Sequence, residues 1–339
     1  MTKQVKNKQN PKEKTNIFHN IYSKYFLITR NKYMYPIYFL LKLIAEFLVI
    51  SFLVITIVFF LIDSMPGENG LLKGLDDAQR QIVIVKYHLD YPSIKRFIMY
   101  IGNLIHGDFG VSSTLFPEKP INAFVWGRFG TSFVIGSISV ILTLLIGIPL
   151  GIVVGKRPGK IVDSFATIII AILISIPSMV LGLFMLLLAK SVSLPYIYDA
   201  TNIASWFMPA ISLSLVGSIT YVRFIRTELN SELNSVHAKF AYLKGVSRNR
   251  FVWRHALKPS LFPIATFFPI VVLSSFIGSI FIEKIFQIPG SGAMFINAIQ
   301  SKDQNIILFL VTIFSLLTIV SFILRDALYA IMDPRIRRR

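Results

Sequence analysis

The chain has 339 residues, of which 54% are hydrophobic and only 15% are charged. Soluble domains carry about 25% charged residues, so this composition excludes an ordinary soluble domain, and its apolar content excludes a disordered chain. The absence of cysteine excludes disulfides, thiolate metal sites and cysteine nucleophiles. A net charge of +18 is compatible with nucleic-acid binding or with membrane topology, and the positions of the charges distinguish the two.

Six apolar stretches are long enough to cross a bilayer core about 30 Å thick, which takes roughly 20 residues of helix. The last five contain no charged residue and no histidine, and the first contains Lys42 and Glu46 on one helix face. The first is also too long for a cleavable signal peptide. We predict an all-α polytopic membrane protein whose six transmembrane helices cover residues 37–62, 131–155, 164–189, 206–222, 261–282 and 305–324.

The net charge lies on one side of the predicted membrane. With the N-terminus inside, the inside segments hold 25 of the 35 basic residues and six of the 17 acidic ones, and the outside segments hold ten of each. This distribution follows the positive-inside rule. We therefore expect a multi-pass protein of the plasma or inner membrane with both termini in the cytoplasm and no nucleic-acid partner. The inside segments are 1–42, 156–163, 223–260 and 325–339, and the outside segments are 63–130, 190–205 and 283–304.

Two of the segments flanking the first span have patterns of their own. Residues 1–36 are a polar tail rich in Lys and Asn, which we interpret as cytoplasmic with a short surface helix near 17–30. Residues 63–130 are predicted to form an extracellular loop region. Within that loop, residues 75–106 have a helical pattern in two pieces, broken at Pro92.

The sequence lacks the motifs of several enzyme and pump classes. It contains no G-x-x-x-x-G-K-S/T, no H-E-x-x-H and no G-x-S-x-G. Ion-coupled carriers usually bury a carboxylate or histidine in the membrane, whereas Glu46 is most simply an interface residue paired with Lys42. We predict a transport subunit that is not an enzyme, with no catalytic, cofactor-binding or metal-binding residues, which is either passive or driven by a partner. An autonomous channel or secondary carrier stays open as the alternative of another class.

The segment between the fourth and fifth spans has the most specific pattern. Residues 237–263 read HAKFAYLKGVSRNRFVWRHALKPSLFP. Gly245 is placed to end one helix in a left-handed conformation, and Ser247 is placed to N-cap a second helix that runs through Arg254. A helix–Gly–helix unit with basic and aromatic residues fits either docking to a partner protein or adsorption to anionic lipid.

This segment resembles the cytoplasmic loop of the integral-membrane subunits of ABC importers, whose motif is E-A-A-x-x-x-G followed nine residues later by I-x-L-P. Lys239, His255 and Pro259 depart from that motif. The departures are similar to the oligopeptide/dipeptide/nickel branch, in which A-x-x-K-G-L/V-S and R-H-A-L are usual. The positions that match this form are Ala241, Lys244, Gly245, Val246, Ser247, Arg254, His255, Ala256 and Leu257.

Four further segments resemble the same branch, so that the resemblance covers about residues 37–337. MPGENG at 65–70 is similar to P-G-D-P, and residues 89–112 are similar to L-D-x-P…Y…G-D-x-G-x-S, in which Asp108 is most simply part of a tight turn. Residues 283–303 are similar to E-x-I/V-F-x-I/L-P-G-x-G, with a turn at Pro289 and Gly290. The stretch RDALYAIMDPRIRRR is similar to D-x-L-Y-x-x-x-D-P-R-I/V-R.

Small residues and prolines mark the spans themselves. Gly147, Gly151 and Gly155 recur every four residues on one face of the second span, a pattern that lets two helices approach closely. The partner helix could belong to this chain or to a second subunit. Prolines within the spans each free a backbone carbonyl, and we expect some of them to line the translocation path or to flex: Pro149, Pro177, Pro209, Pro263 and Pro269.

The resemblance implies the type-1 ABC importer permease fold over residues 131–330, with a coupling loop at 223–260 and a C-terminal tail at 331–339. It implies half of the translocation pore of an ATP-driven importer of oligopeptides or dipeptides, and nickel or another small solute is the alternative cargo. The implied partners are a second homologous permease, two ATPase subunits that hold ATP and Mg²⁺, an extracellular solute-binding protein and the lipid membrane. The expected coupling residues are Ala241, Lys244, Gly245, Ser247, Arg254, His255 and Leu257.

Overall fold

The computed structural model describes residues 34–64 and 70–332. The surface helix expected near 17–30 and the DPRIR end of the chain lie outside these ranges, as does most of MPGENG. Within these ranges, the residues up to Leu53 and those from Val54 onward form two compact units. In the first unit, Lys42 and Glu46 form the predicted ion pair, with Nζ and Oε1 3.6 Å apart.

The regular elements of the described ranges are helices, which we number in chain order. Two short 3₁₀ turns, Gly70–Leu72 and Ile121–Ala123, and a π-helical turn, Val252–Ala256, supplement them. The α-helices are α1 (Met34–Asp63), α2 (Asp77–Tyr87), α3 (Ser93–Ile105), α4 (Val125–Gly155), α5 (Ile161–Ser175), α6 (Ser178–Ser191), α7 (Ala204–Leu233), α8 (Val236–Leu243), α9 (Arg248–Phe251), α10 (Leu257–Ser260), α11 (Phe262–Ile277), α12 (Ile280–Ile285), α13 (Ser291–Ser301) and α14 (Gln304–Met332).

Five stretches of the described residues are helical, long and apolar enough to cross a membrane, and a bent pair of helices makes a sixth. The bent pair is α5 and α6, which meet at an angle of 99°. Our prediction of one continuous helix over 164–189 was therefore wrong. Ile176 is extended (φ −84°, ψ 123°) because the residue before a proline, here Pro177, is disfavoured in the helical region. The five stretches are Leu40–Asp63, Val125–Gly155, Ala204–Leu233, Phe262–Ile285 and Gln304–Tyr329.

Three of these stretches extend at least three residues beyond their predicted C-terminal ends, and the last of them continues from the predicted 324 to Tyr329. The helix predicted at 206–222 continues to Leu233, because charged residues past its apolar part still favour helix. The stretch predicted to end at 282 continues to Ile285 after a break at Gly278, whose φ is +73°. It therefore includes Glu283, which our prediction had placed just outside this span.

The buried Glu283 carboxylate holds together the turn that precedes α13. It accepts hydrogen bonds from the Ser132 hydroxyl (2.7 Å) and the Ala293 N–H (2.8 Å), and so lies at the positive end of a helix. A Cβ at Gly290 would lie 2.4 Å from this carboxylate. The predicted turn at Pro289 and Gly290 therefore needs its glycine for space, since the φ of Gly290 is an ordinary −95°.

A second buried carboxylate, Asp303, fixes the loop 106–120 to the start of α14. Its oxygens accept from the hydroxyls of Ser112 (2.6 Å) and Ser113 (3.0 Å) and from the N–H groups of Thr114 (2.9 Å) and Leu115 (3.0 Å). Burial alone would raise the pKa of Asp303, but these donors hold the pKa below its ordinary value. This anchor is therefore lost as the pH falls through that lowered pKa.

The region 75–106 has the two-piece helical form that we predicted. α2 begins at a capping box formed by Asp76 and Gln79, and α3 begins directly after Pro92. The predicted tight turn at Asp108 is also confirmed, because its carboxylate accepts the Gly110 N–H at 2.9 Å.

The most extensive helix pair in the described residues is α4 with α7. Gly147, Gly151 and Gly155 all face α7 of the same chain. A Cβ on Gly151 would lie 2.8 Å from the Cβ of Ile225, and a Cβ on Gly147 would lie 2.9 Å from that of Tyr221. The glycine pattern therefore lies at an intrachain contact, one of the two alternatives that the sequence left open.

We expect Gly151→Val to lower the free energy of unfolding by about 1–3 kcal/mol, because the larger side chain must displace Ile225 or push the helices apart. Gly130→Val is the matched control in the same helix. Nothing lies within 4 Å of a Cβ at Gly130, so this change should stay within about 0.5 kcal/mol of wild type. Thermal unfolding of the purified protein in detergent measures both, and equal losses in the two variants would contradict the close contact.

Candidate functional site

The candidate site is the helical hairpin, residues 236–260, which lies between α7 and α11 and outside the apolar stretches. Its buried core consists of Ala238, Phe251, Val252 and Ala256, packed against the last turns of α7. Leu229 and Leu233 supply the α7 side of that cluster. The hairpin therefore packs directly on the end of the 30-residue helix α7.

The turn of the hairpin at Gly245 has the predicted left-handed conformation, with φ +82°. The Gly245 N–H donates to the Tyr242 carbonyl (2.9 Å), and the Val246 N–H donates to the Ala241 carbonyl (3.0 Å). These two bonds make a Schellman motif at the end of α8. Nothing lies within 4 Å of a Cβ built on Gly245, so the requirement for glycine comes from the backbone conformation and not from lack of space.

The second arm of the hairpin differs in part from the prediction. Ser247 has the extended backbone of an N-cap residue (φ −66°, ψ 151°), but its hydroxyl makes no capping hydrogen bond. The helix predicted to run through Arg254 continues to Ser260, with the π-helical turn Val252–Ala256 in the middle. That turn places both Val252 and Ala256 in the buried core.

The predicted coupling residues fall into two groups. Ala241 and Leu257 are half-buried against hydrophobic clusters of this chain. Contacts within the chain therefore limit the size of these two side chains, in addition to any contact with a partner. The others are exposed: Lys244, Gly245, Ser247, Arg254 and His255.

The exposed surface of the hairpin combines apolar and basic side chains. Phe240, Leu243 and Trp253 are exposed, and Leu243 is 83% exposed. Lys244 and Arg248 beside them carry positive charge into the solvent. Phe240 and Leu243 are three residues apart on α8, and large apolar side chains exposed on one helix face favour an interaction surface over a solvated face.

Sequence reasoning missed two contacts that connect the hairpin end of the molecule to the α4–α5 turn. Arg226 of α7 forms an ion pair with the buried Asp163 of α5, which also accepts the Gly159 N–H at 2.8 Å. Lys156 Nζ lies 4.4 Å from the centroid of the Trp253 ring, within range of a cation–π interaction. Asp163 is the only acidic residue in the otherwise basic segment 156–163, and this was the signal from which the ion pair could have been predicted.

Comparison with known proteins gives a consistent result. The family model described as "Binding-protein-dependent transport system inner membrane component" matches residues 147–338. The chain is similar to the dipeptide transport system permease protein of Lactococcus lactis subsp. cremoris, with 31% identity over 88% of this chain and 99% of that protein.

Two more relatives are named as oligopeptide transport system permease proteins. The one from Bacillus subtilis is 30% identical over 83% of this chain and 94% of its own length. The one from Haemophilus influenzae is 28% identical over 88% of this chain and 99% of its own length.

Proposed function

Because the chain belongs to the family of binding-protein-dependent transport system inner membrane components, we propose that it forms half of the translocation pore of an ATP-driven importer of dipeptides or oligopeptides. The observation that carries the cargo class is the identity of about 30% to dipeptide and oligopeptide permeases over most of the chain. A second, homologous permease would complete the pore. Nickel or another small solute is the alternative cargo of the same machine.

In this proposal the helical hairpin docks in a groove of a partner ATPase, which holds ATP and Mg²⁺. The support is the exposed apolar group Phe240, Leu243 and Trp253, whose burial in a protein groove would remove apolar surface from water. The chain itself performs no covalent chemistry. A solute-binding protein would deliver the peptide at the opposite end of the spans.

Movement of the ATPases would be transmitted to the pore through α7. The hairpin core packs on Leu229 and Leu233, and α7 packs along α4 at Gly151, so a displacement of the hairpin displaces both helices. The ion pair between Arg226 and Asp163 extends the same rigid connection to α5.

We expect Gly245→Val and Ala241→Asp to abolish the stimulation of ATP hydrolysis by peptide-loaded binding protein, and to weaken co-purification of the ATPase. Valine at position 245 costs about 1–2 kcal/mol in the left-handed conformation and tilts the second arm of the hairpin. Aspartate at position 241 places a charge at the edge of the apolar hairpin core. The measurement is ATPase activity of the reconstituted complex with and without loaded binding protein.

Gly74→Val is the matched control, because Gly74 has the same kind of backbone (φ +79°) with nothing within 4 Å of its Cβ, far along the chain from the hairpin. It should keep ATPase co-purification. Wild-type coupling in both hairpin variants would contradict the docking role. If a nickel-loaded binding protein stimulates the wild-type complex and a peptide-loaded one does not, the peptide cargo is contradicted, but the proposal of an ATP-driven importer stands.

The orientation in the membrane is a further part of the proposal, supported by the distribution of basic residues. Since the chain has no cysteine, single Cys substitutions can be labelled in intact cells with an impermeant thiol reagent. We expect labelling at the outside positions and protection at the cytoplasmic ones. Labelling at 244 together with protection at 108 would reverse the topology. The outside positions are 108, 199 and 300, and the cytoplasmic ones are 160, 244 and 337.

A further inference from the structure

One face of α3 carries apolar side chains that no part of the described chain covers. Ile94 is 67% exposed, Ile98 is 65% exposed and Ile105 is 78% exposed. These three residues are spaced four and seven apart, so they share one side of the helix along about 16 Å of its axis. Most soluble surfaces scatter their exposed isoleucines singly and do not align them.

The opposite face of α3 packs against the ends of two membrane-crossing helices. The Phe97 ring lies 5.3 Å from the ring of Phe59 and 5.4 Å from that of Phe60, in the last two turns of α1. The Tyr100 hydroxyl lies 3.0 Å from the Thr312 hydroxyl. Thr312 is eight residues into α14, which is about 12 Å along its axis.

These contacts set the depth of α3. Phe59, Phe60 and Thr312 all belong to stretches that are apolar enough to cross a membrane. A helix fixed to them lies level with the outer part of the hydrocarbon region, not above it. In the same turns of α1, Ile57 and Leu61 are exposed, so both helices carry uncovered apolar side chains at this level.

The ends of α3 have the polarity of a membrane interface. At its start, Arg96 pairs with Asp63 at the end of α1 (2.6 Å), and Lys95 Nζ lies 3.5 Å from the centroid of the Tyr91 ring. At its end, Asn103 and His106 are exposed. Basic and aromatic residues are enriched at the headgroup level, so these polar side chains fit headgroups, while the isoleucine face, which runs from the second residue of α3 to its last, fits acyl chains.

We propose that α3 is an interfacial membrane helix whose face of Ile94, Ile98 and Ile105 is buried in the acyl chains of one leaflet. The segment 63–130 was predicted as an extracellular loop region, and this inference places its second helix in the lipid of that side of the membrane. The occupant is bilayer lipid because the depth of α3, the exposed apolar side chains of α1 at the same level and the polar side chains beside the isoleucine face all match a bilayer.

The test uses the cysteine-free background. Ile98→Cys carries an environment-sensitive NBD fluorophore in the full chain, assembled with partner subunits that have no reactive cysteine and reconstituted in phosphatidylcholine vesicles. Asn103→Cys on the same helix is the matched control, because its side chain is exposed and polar. Ile94→Cys is the second test position if assembly fails at position 98.

We expect phosphatidylcholine with a doxyl group near the top of its acyl chain to remove more than half of the NBD emission at position 98, and aqueous iodide to leave it unchanged. Position 103 should show the reverse. Quenching at position 98 by iodide would mean that the face is in water and would overturn the proposal. Protection at position 98 from both quenchers would mean that a protein covers it, which would overturn the proposal equally.

Discussion

At Gly151, α4 and α7 approach so closely that a single added carbon would lie 2.8 Å from the Cβ of Ile225. Glycines every four residues extend this contact along both helices, and Gly217 of α7 faces Thr143 of α4 in the same way. Because neither helix can slide or rotate without collision, the pair behaves as one rigid unit. The helical hairpin is built on the end of that unit, so its position follows from the α4–α7 contact.

Buried polar groups fix the turns at both ends of the helices that surround this pair. Glu283 and Asp303 fix the turns before α13 and α14, and Arg226 with Asp163 fixes the α4–α5 turn near the hairpin. A buried carboxylate is costly unless its oxygens are bonded, and each of these three has donors from two or more groups. The chain break at Pro177 lies away from these fixed turns, and a pore that changes shape would bend there, whereas the break at Gly278 lies against the Glu283 carboxylate.

The sequence predicted those features that depend on local composition. The apolar stretches, the left-handed Gly245, the two helices broken at Pro92 and the tight turn at Asp108 all follow from the properties of residues close together in the chain. Hydropathy could not predict the 99° bend between α5 and α6, because it measures composition and not the direction of the chain. The signal for that bend was Pro177, which we had named among the prolines that could flex but had kept inside a single span.

The misses at the candidate site have a similar cause. Arg226 and Asp163 are 63 residues apart, and Lys156 and Trp253 are farther apart still, so no local pattern joins them. Ala241 was expected at a partner contact, and its partial burial in the hairpin core arises from residues on α7 and α9 that meet only in the fold. Five of the residues that the motif indicated are exposed on the hairpin, and Phe240, Leu243 and Trp253, which the motif did not indicate, are exposed there too.

The central claim is that the hairpin moves with α7 as one body. Spin labels at Thr227→Cys, exposed on α7, and Asn249→Cys, exposed on the hairpin, report the distance between the two elements by double electron–electron resonance. In the full complex with its ATPases, we expect the same distance distribution without nucleotide and with ATP trapped. A distribution that shifts or splits when ATP is trapped would show that the hairpin hinges on α7, and would contradict the rigid connection.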